Sequence, residues 1–170
     1  FNGVILPGSF NPLHEGHKSL LLKAQELTGK IAAYEMSVTN VDKPDIEEKV
    51  MTKRLNQFHE SDIVLVTNTA LFSQKSDLFP GSTFVIGYDT AVRLLEPKYY
   101  NNDSALMYKS MGQIIKNNCK FLVAGRFYKS QFMGLSSIDI PSGFSDMVTE
   151  IPESEFAIDI SSTEIRKRSG

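Results

Sequence analysis

The chain has 170 residues, 41% of them hydrophobic and 22% charged, which suits one globular domain able to bury a core. A formal net charge of -2 and a pI near 5.9 exclude the basic surface that grips nucleic acid through its phosphates, so a small-molecule partner is expected. The one cysteine, Cys119, rules out an internal disulfide and a cysteine-based metal cluster and fits a reducing compartment, cytoplasm or nucleus.

No apolar run approaches the roughly 20 residues that span a bilayer, and no signal peptide is visible, so no membrane partner is expected. The chain opens on Phe1 and its first apolar run follows at once. It reads as a single domain over residues 1–170, trimmed from a longer protein. The oligomeric state is not encoded in any pattern.

In chain order, apolar runs of strand length alternate with segments of helical period. Val4-Ile5-Leu6 is a strand ended by Pro7-Gly8. A helix follows with Leu20, Leu21, Ala24 and Leu27 on one face and Gly29 as its stop. Ile31 to Val38 is a second strand. Pro44 and Asp45 open a charged helix whose apolar face carries Met51, Leu55 and Phe58. Ile63 to Val66 and Thr83 to Ile86 are further strands, the latter ended by Gly87. Met107, Met111, Ile114 and Ile115 mark a core-facing helix, and Phe121 to Ala124 a fifth strand. Residues from Ser130 to Ser145 are rich in Ser, Gly and Pro and read as loop. Phe156 to Ile160 alternates like a late strand, and Thr163 to Arg168 closes the chain as a basic helix. Such alternation predicts an α/β fold, an open parallel sheet of about five strands with helices on both faces. Ligands in such sheets bind beyond the carboxyl ends of the strands, here just after Leu6, Ile86 and Ile160.

Two strings stand at those places. The first is Gly8-Ser9-Phe10-Asn11-Pro12-Leu13-His14-Glu15-Gly16-His17. Gly8 permits close approach of backbone to a ligand, Pro12 stiffens the loop, and Gly16 lies where the next helix begins. Free N–H groups at a helix start bind phosphate. His14 and His17 can point at one anion and donate to the charge that builds on a polyphosphate. Two histidines alone make a poor metal site. The loop is expected to be exposed. The second string is Ile160-Ser161-Ser162-Thr163-Glu164-Ile165-Arg166. Alone it reads as a capping box of Ser161 with Glu164, or as hydroxyls and a guanidinium for phosphate oxygens.

Together the strings resemble the H-x-G-H and I-S-S-T-x-x-R signatures of the nucleotidylyltransferase superfamily. A Rossmann-like fold and nucleotidyl transfer are what that resemblance implies. The chain is most similar to nicotinamide/nicotinate mononucleotide adenylyltransferases: Phe84-Val85-Ile86-Gly87-Tyr88-Asp89 resembles their strand-four motif and Val41-Asp42-Lys43-Pro44 their lysine-bearing loop. The implied reaction transfers AMP from ATP to a phosphorylated acceptor, nicotinamide or nicotinate mononucleotide, and releases pyrophosphate. Phosphopantetheine adenylyltransferases, cytidylyltransferases and a non-catalytic nucleotide-binding module are the alternatives.

The resemblance assigns His14 and His17 to the α-phosphate and Arg166, Ser161, Ser162 and Thr163 to the leaving group. Gly8, Ser9 and Phe10 would line the nucleotide, with Gly87 and Asp89 at the adjacent strand end. Asp89 meets a ribose hydroxyl or caps a helix; Lys43 meets the acceptor phosphate or is solvated. Magnesium is expected on the ATP phosphates. Arg126 is a further nucleotide contact, whereas Arg54 and Arg93 read as solvated helix-face charges. The family's threonine-rich segment is replaced by Leu71 to Leu78, and its tryptophan is missing. Tyr99 and Tyr100 either stack on the acceptor ring in its place or pack at a helix end.

Overall fold

A computed structural model describes residues 1–40 and 43–156. Six strands form one parallel sheet: β1 (Val4–Pro7), β2 (Ala32–Ser37), β3 (Val64–Thr67), β4 (Thr83–Gly87), β5 (Lys120–Ala124) and, last among the described residues, β8 (Val148–Ile151). Between β5 and β8 the strands β6 (Arg126–Tyr128) and β7 (Gln131–Met133) pair, among the described residues, only with each other, as an antiparallel hairpin. The order across the large sheet is β3-β2-β1-β4-β5-β8. The chain therefore winds outward from β1 in one direction and then returns to wind the other way. That reversal opens a crevice between the ends of β1 and β4, the place where Rossmann-like sheets bind ligands.

Alternation along each strand feeds two cores. Ile5, Phe84, Ile86, Phe121 and Val123 face one side. There they meet α4 (Tyr88–Leu95) and α5 (Ser104–Lys116), through Ala91, Leu94, Leu95, Met107, Met111 and Ile114. Phe72, the first residue of α3 (Phe72–Leu78), packs on the same side. Val4, Leu6, Val85, Leu122 and Ala124 face the other side, against Leu20, Leu21 and Ala24 of α1 (Glu15–Thr28) and Met51 of α2 (Glu48–Leu55). The expected α/β sheet with helices on both faces is present, and Gly29 ends α1 with a left-handed φ of 68°.

Several elements differ from the sequence reading. Leu27 and Ile115 point to solvent, because each lies off the stripe that meets the sheet. The second helix starts at Glu48 and ends before Phe58. The polar stretch over 72–78 is a helix, and the segment read as loop after Ser130 contains β7 and a turn at Leu135–Ser137. The sixth strand, β8, was missed because its interior residues, Thr149 and Glu150, are polar. Apart from Phe156, which packs partly buried against the core, the proposed late strand and the closing helix lie outside the described residues.

Candidate active site

The loop after β1 is held from three directions. The Glu35 carbonyl accepts the Gly8 N–H at 3.0 Å, extending the β1–β2 ladder. Gln57 accepts the Leu13 N–H and donates to the Phe10 carbonyl, both at 2.8 Å. Arg54 reaches the Ser9 carbonyl at 3.4 Å, so this guanidinium lies at the loop and is not simply a solvated charge. Gly8 and Ser9 remain exposed.

Phe10 corrects the sequence reading. Its left-handed φ of 46° turns the ring inward, and it is only 1% exposed. The ring packs edge-on against His17, Tyr34 and Phe58, with centroids 5.0, 5.3 and 5.4 Å away. The ring underlies the loop as a platform, so only the backbone of Phe10 is left to face a ligand.

His14 and His17 are built into the start of α1. His14 is the N-cap, and its Nδ1 accepts the Gly16 N–H at 3.1 Å. His17 Nδ1 accepts the His14 N–H, also at 3.1 Å. The rings stack 3.8 Å apart at 25°. Gly16 is required at its place because a Cβ there would lie 2.8 Å from the His14 ring. The histidines are thus part-buried caps, more tightly integrated than an exposed loop suggests.

This geometry fixes their chemistry. An Nδ1 that accepts a hydrogen bond carries no proton, so the neutral ring holds its proton on Nε2. Burial lowers both pKa values; for His17, burial and then the neighbouring His14 bring it down to about 4. Near neutral pH the pair offers an anion two uncharged Nε2–H donors beside the positive end of a helix dipole. It offers no cation and no free Nδ1 base.

Beyond β4, Gly87 is the N-cap of α4 and Asp89 lies inside its first turn, so Asp89 does not cap the helix. Its carboxylate is already engaged: Oδ2 takes Arg126 Nη1 at 2.8 Å, and Oδ1 accepts the Tyr128 hydroxyl. The Arg126 guanidinium lies 4.3 Å over the Tyr128 ring. That arrangement raises the Tyr128 pKa, chiefly through the hydrogen bond to Asp89. Arg126, read from sequence as a nucleotide contact, fastens the β6–β7 hairpin to α4. A cleft of about 540 Å³ lies alongside, lined by Tyr88, Arg93, Tyr99 and residues of the hairpin. Tyr99 faces the cleft. Tyr100 is a packing residue whose hydroxyl donates to the Leu94 carbonyl at 3.0 Å.

Sequence reasoning also missed a buried ionic cluster at the carboxyl ends of β2 and β3. Lys75 of α3 bonds both oxygens of Glu35 at 2.9 and 3.0 Å and the Thr69 carbonyl at 2.8 Å. Thr67 donates to Glu35 at 2.6 Å. Glu35 is 1% and Lys75 6% exposed. A lysine inside a polar heptad and a glutamate inside a strand carry no such signal in sequence.

Lys43 is exposed, beside residues outside the described set. Ser161, Ser162, Thr163 and Arg166 lie outside the described residues. Among the described residues no helix is long and apolar enough to cross a membrane.

Comparison with known proteins adds to this geometry. A family model described as cytidylyltransferase-like matches residues 5–168. A Schizosaccharomyces pombe protein named "Putative nicotinamide mononucleotide adenylyltransferase" is 30% identical over 125 residues. The alignment covers 66% of this chain and 47% of that relative, so the chain spans about half its length. With the family match running from β1 through the second serine-threonine string, and the β1–β4 crevice holding the histidine pair, the chain belongs to the cytidylyltransferase-like family of nucleotidyltransferases.

Proposed function

We propose that the protein transfers AMP from ATP to a pyridine mononucleotide and releases pyrophosphate. The observation that carries this reading is the histidine pair, fixed as two Nε2–H donors at the crevice. Family membership supports nucleotidyl transfer, and the name of the fission-yeast relative supports the acceptor.

The acceptor phosphate is itself the nucleophile, so the reaction calls for no general base. An acceptor oxygen bonds to the α-phosphorus, the bond to the β-phosphate oxygen breaks, and its electron pair leaves on pyrophosphate. His14 and His17 donate to the α-phosphoryl oxygens, where charge gathers in the five-coordinate arrangement. The exposed Gly8 and Ser9 backbone borders the nucleotide. Asp89 reaches a ribose hydroxyl only by sharing or exchanging its bonds to Arg126 and Tyr128. Ser161, Ser162, Thr163 and Arg166 are assigned to the leaving pyrophosphate, and Lys43 to the acceptor phosphate, on the resemblance alone. Magnesium would arrive on the triphosphate and neutralise part of its charge. Among the described residues no group of three or more His, Cys, Asp or Glu could hold a metal.

The test is pyrophosphate release with ATP or CTP and magnesium against a panel of phosphorylated acceptors, with products separated by chromatography. Dinucleotide from ATP and a pyridine mononucleotide is the expected result. Release with CTP only, or with an unrelated acceptor only, overturns the substrate assignment. No release with any acceptor overturns the enzymatic reading.

A further inference from the structure

Asp89 and Arg93 stand four residues apart on α4, the spacing at which an acid and a following base pair on one helix face. They do not pair. Both Asp89 oxygens are claimed from β6, by Arg126 and by Tyr128. Arg93 is left exposed on the cleft wall, with no hydrogen bond or ion pair to any described residue. Around it are the rings of Tyr88, Tyr99 and Tyr128 and the side chains of Gln131 and Met133. The cleft's acid is thus neutralised internally, while one cation stays available. Aromatic walls suit a flat ring, and a free guanidinium suits a carboxylate, which it can grip with two parallel N–H bonds.

We infer that Arg93 is the specificity-determining residue of the acceptor site and selects a pyridine mononucleotide bearing a ring carboxylate over the ring amide. The inference rests on the acceptor proposed above. An amide offers Arg93 only a neutral carbonyl, whereas the carboxylate forms the charge-assisted pair.

The experiment measures kcat/KM for nicotinate and nicotinamide mononucleotide, with ATP and magnesium, in the wild type, Arg93→Gln and Arg93→Lys. The acid-to-amide ratio is internal to each protein, so a general loss of folded enzyme cancels. The wild type is expected to favour the acid by on the order of tenfold or more, the value of one charge-assisted bond. The ratio falls to about one in Arg93→Gln and is partly kept in Arg93→Lys. A wild type indifferent to the carboxylate, or favouring the amide, overturns the inference. So does an equal loss for both forms in Arg93→Gln, which would put Arg93 on the phosphate that both carry. Dinucleotide from neither form, with pyrophosphate released by another acceptor, removes the acceptor reading and this inference together.

Discussion

His17 turns its Nδ1 back onto the backbone N–H of His14 at 3.1 Å, and the two imidazoles stack 3.8 Å apart. Each histidine therefore orients the other, and each serves the helix as well as any ligand. Stability and chemistry can be separated by choosing replacements that keep one and remove the other.

His14→Asn keeps an N-cap acceptor for the Gly16 N–H but loses the Nε2–H donor. Its stability is expected to match the wild type within about 0.5 kcal/mol, while turnover falls about 10²–10³-fold. His14→Ala loses both, with a stability cost of about 1 kcal/mol. Urea titration alongside a pyrophosphate assay checks both variants. Normal turnover in His14→Asn would remove the histidine from the chemistry.

Acid should destabilise the protein through His17. Its folded-state pKa is lowered from 6.5 to about 4, so between those values the unfolded chain binds more protons than the folded one. Stability is then complete above about pH 6.5, declines as the pH falls, and this contribution is gone below about pH 4. Urea midpoints across this window should fall less steeply in His17→Gln, which keeps an acceptor for the His14 N–H. Equal slopes in the two proteins would contradict the assignment.

Phe10→Ala opens a cavity beneath the loop and is expected to cost about 3–5 kcal/mol. It also removes the edge-on support of His17, so turnover of the remaining folded protein should fall as well. A phenylalanine lining the nucleotide would behave differently, weakening ATP binding with little change in the urea midpoint. Denaturation and calorimetry on the same variant distinguish the two.

Lys75→Met leaves the Glu35 carboxylate buried without its cation, at a cost of about 3–5 kcal/mol. Replacing both partners, Lys75→Met with Glu35→Leu, should recover most of that loss. Thermal melts of the single and double variants test the point. A double variant no better than the single would show that the cluster does more than balance its own charge.

What could be read from sequence was local in sequence. The inner strands betray themselves through short apolar runs, and Gly29 marks a helix end because few residues tolerate its φ. The histidine pair lies within one turn, so its spacing alone puts the rings together. Contacts made across long separations left no trace. Arg126 meets Asp89 across 37 residues and Gln57 meets Phe10 across 47. Phe10 looked like a ligand contact because its inward turn depends on a single backbone angle. Helix α3 was hidden for a related reason: its buried face is Ser73, Lys75 and Ser76, whose burial is made tolerable by Glu35, Thr69 and the Ser73 carbonyl.

The position of β1 has a mechanical consequence. It lies between β2 and β4, with further strands beyond each, so its amides can exchange with solvent only when much of the sheet comes apart. The histidine loop grows directly from that strand and inherits its slow clock. Among the described residues the β6–β7 hairpin pairs only with itself and is tied to α4 by the Asp89 carboxylate and the Tyr88–Tyr128 ring contact, so it can breathe on a faster one. Hydrogen exchange would then separate the molecule into a fixed anvil, built on β1 and its loop, and a yielding jaw, built on the hairpin.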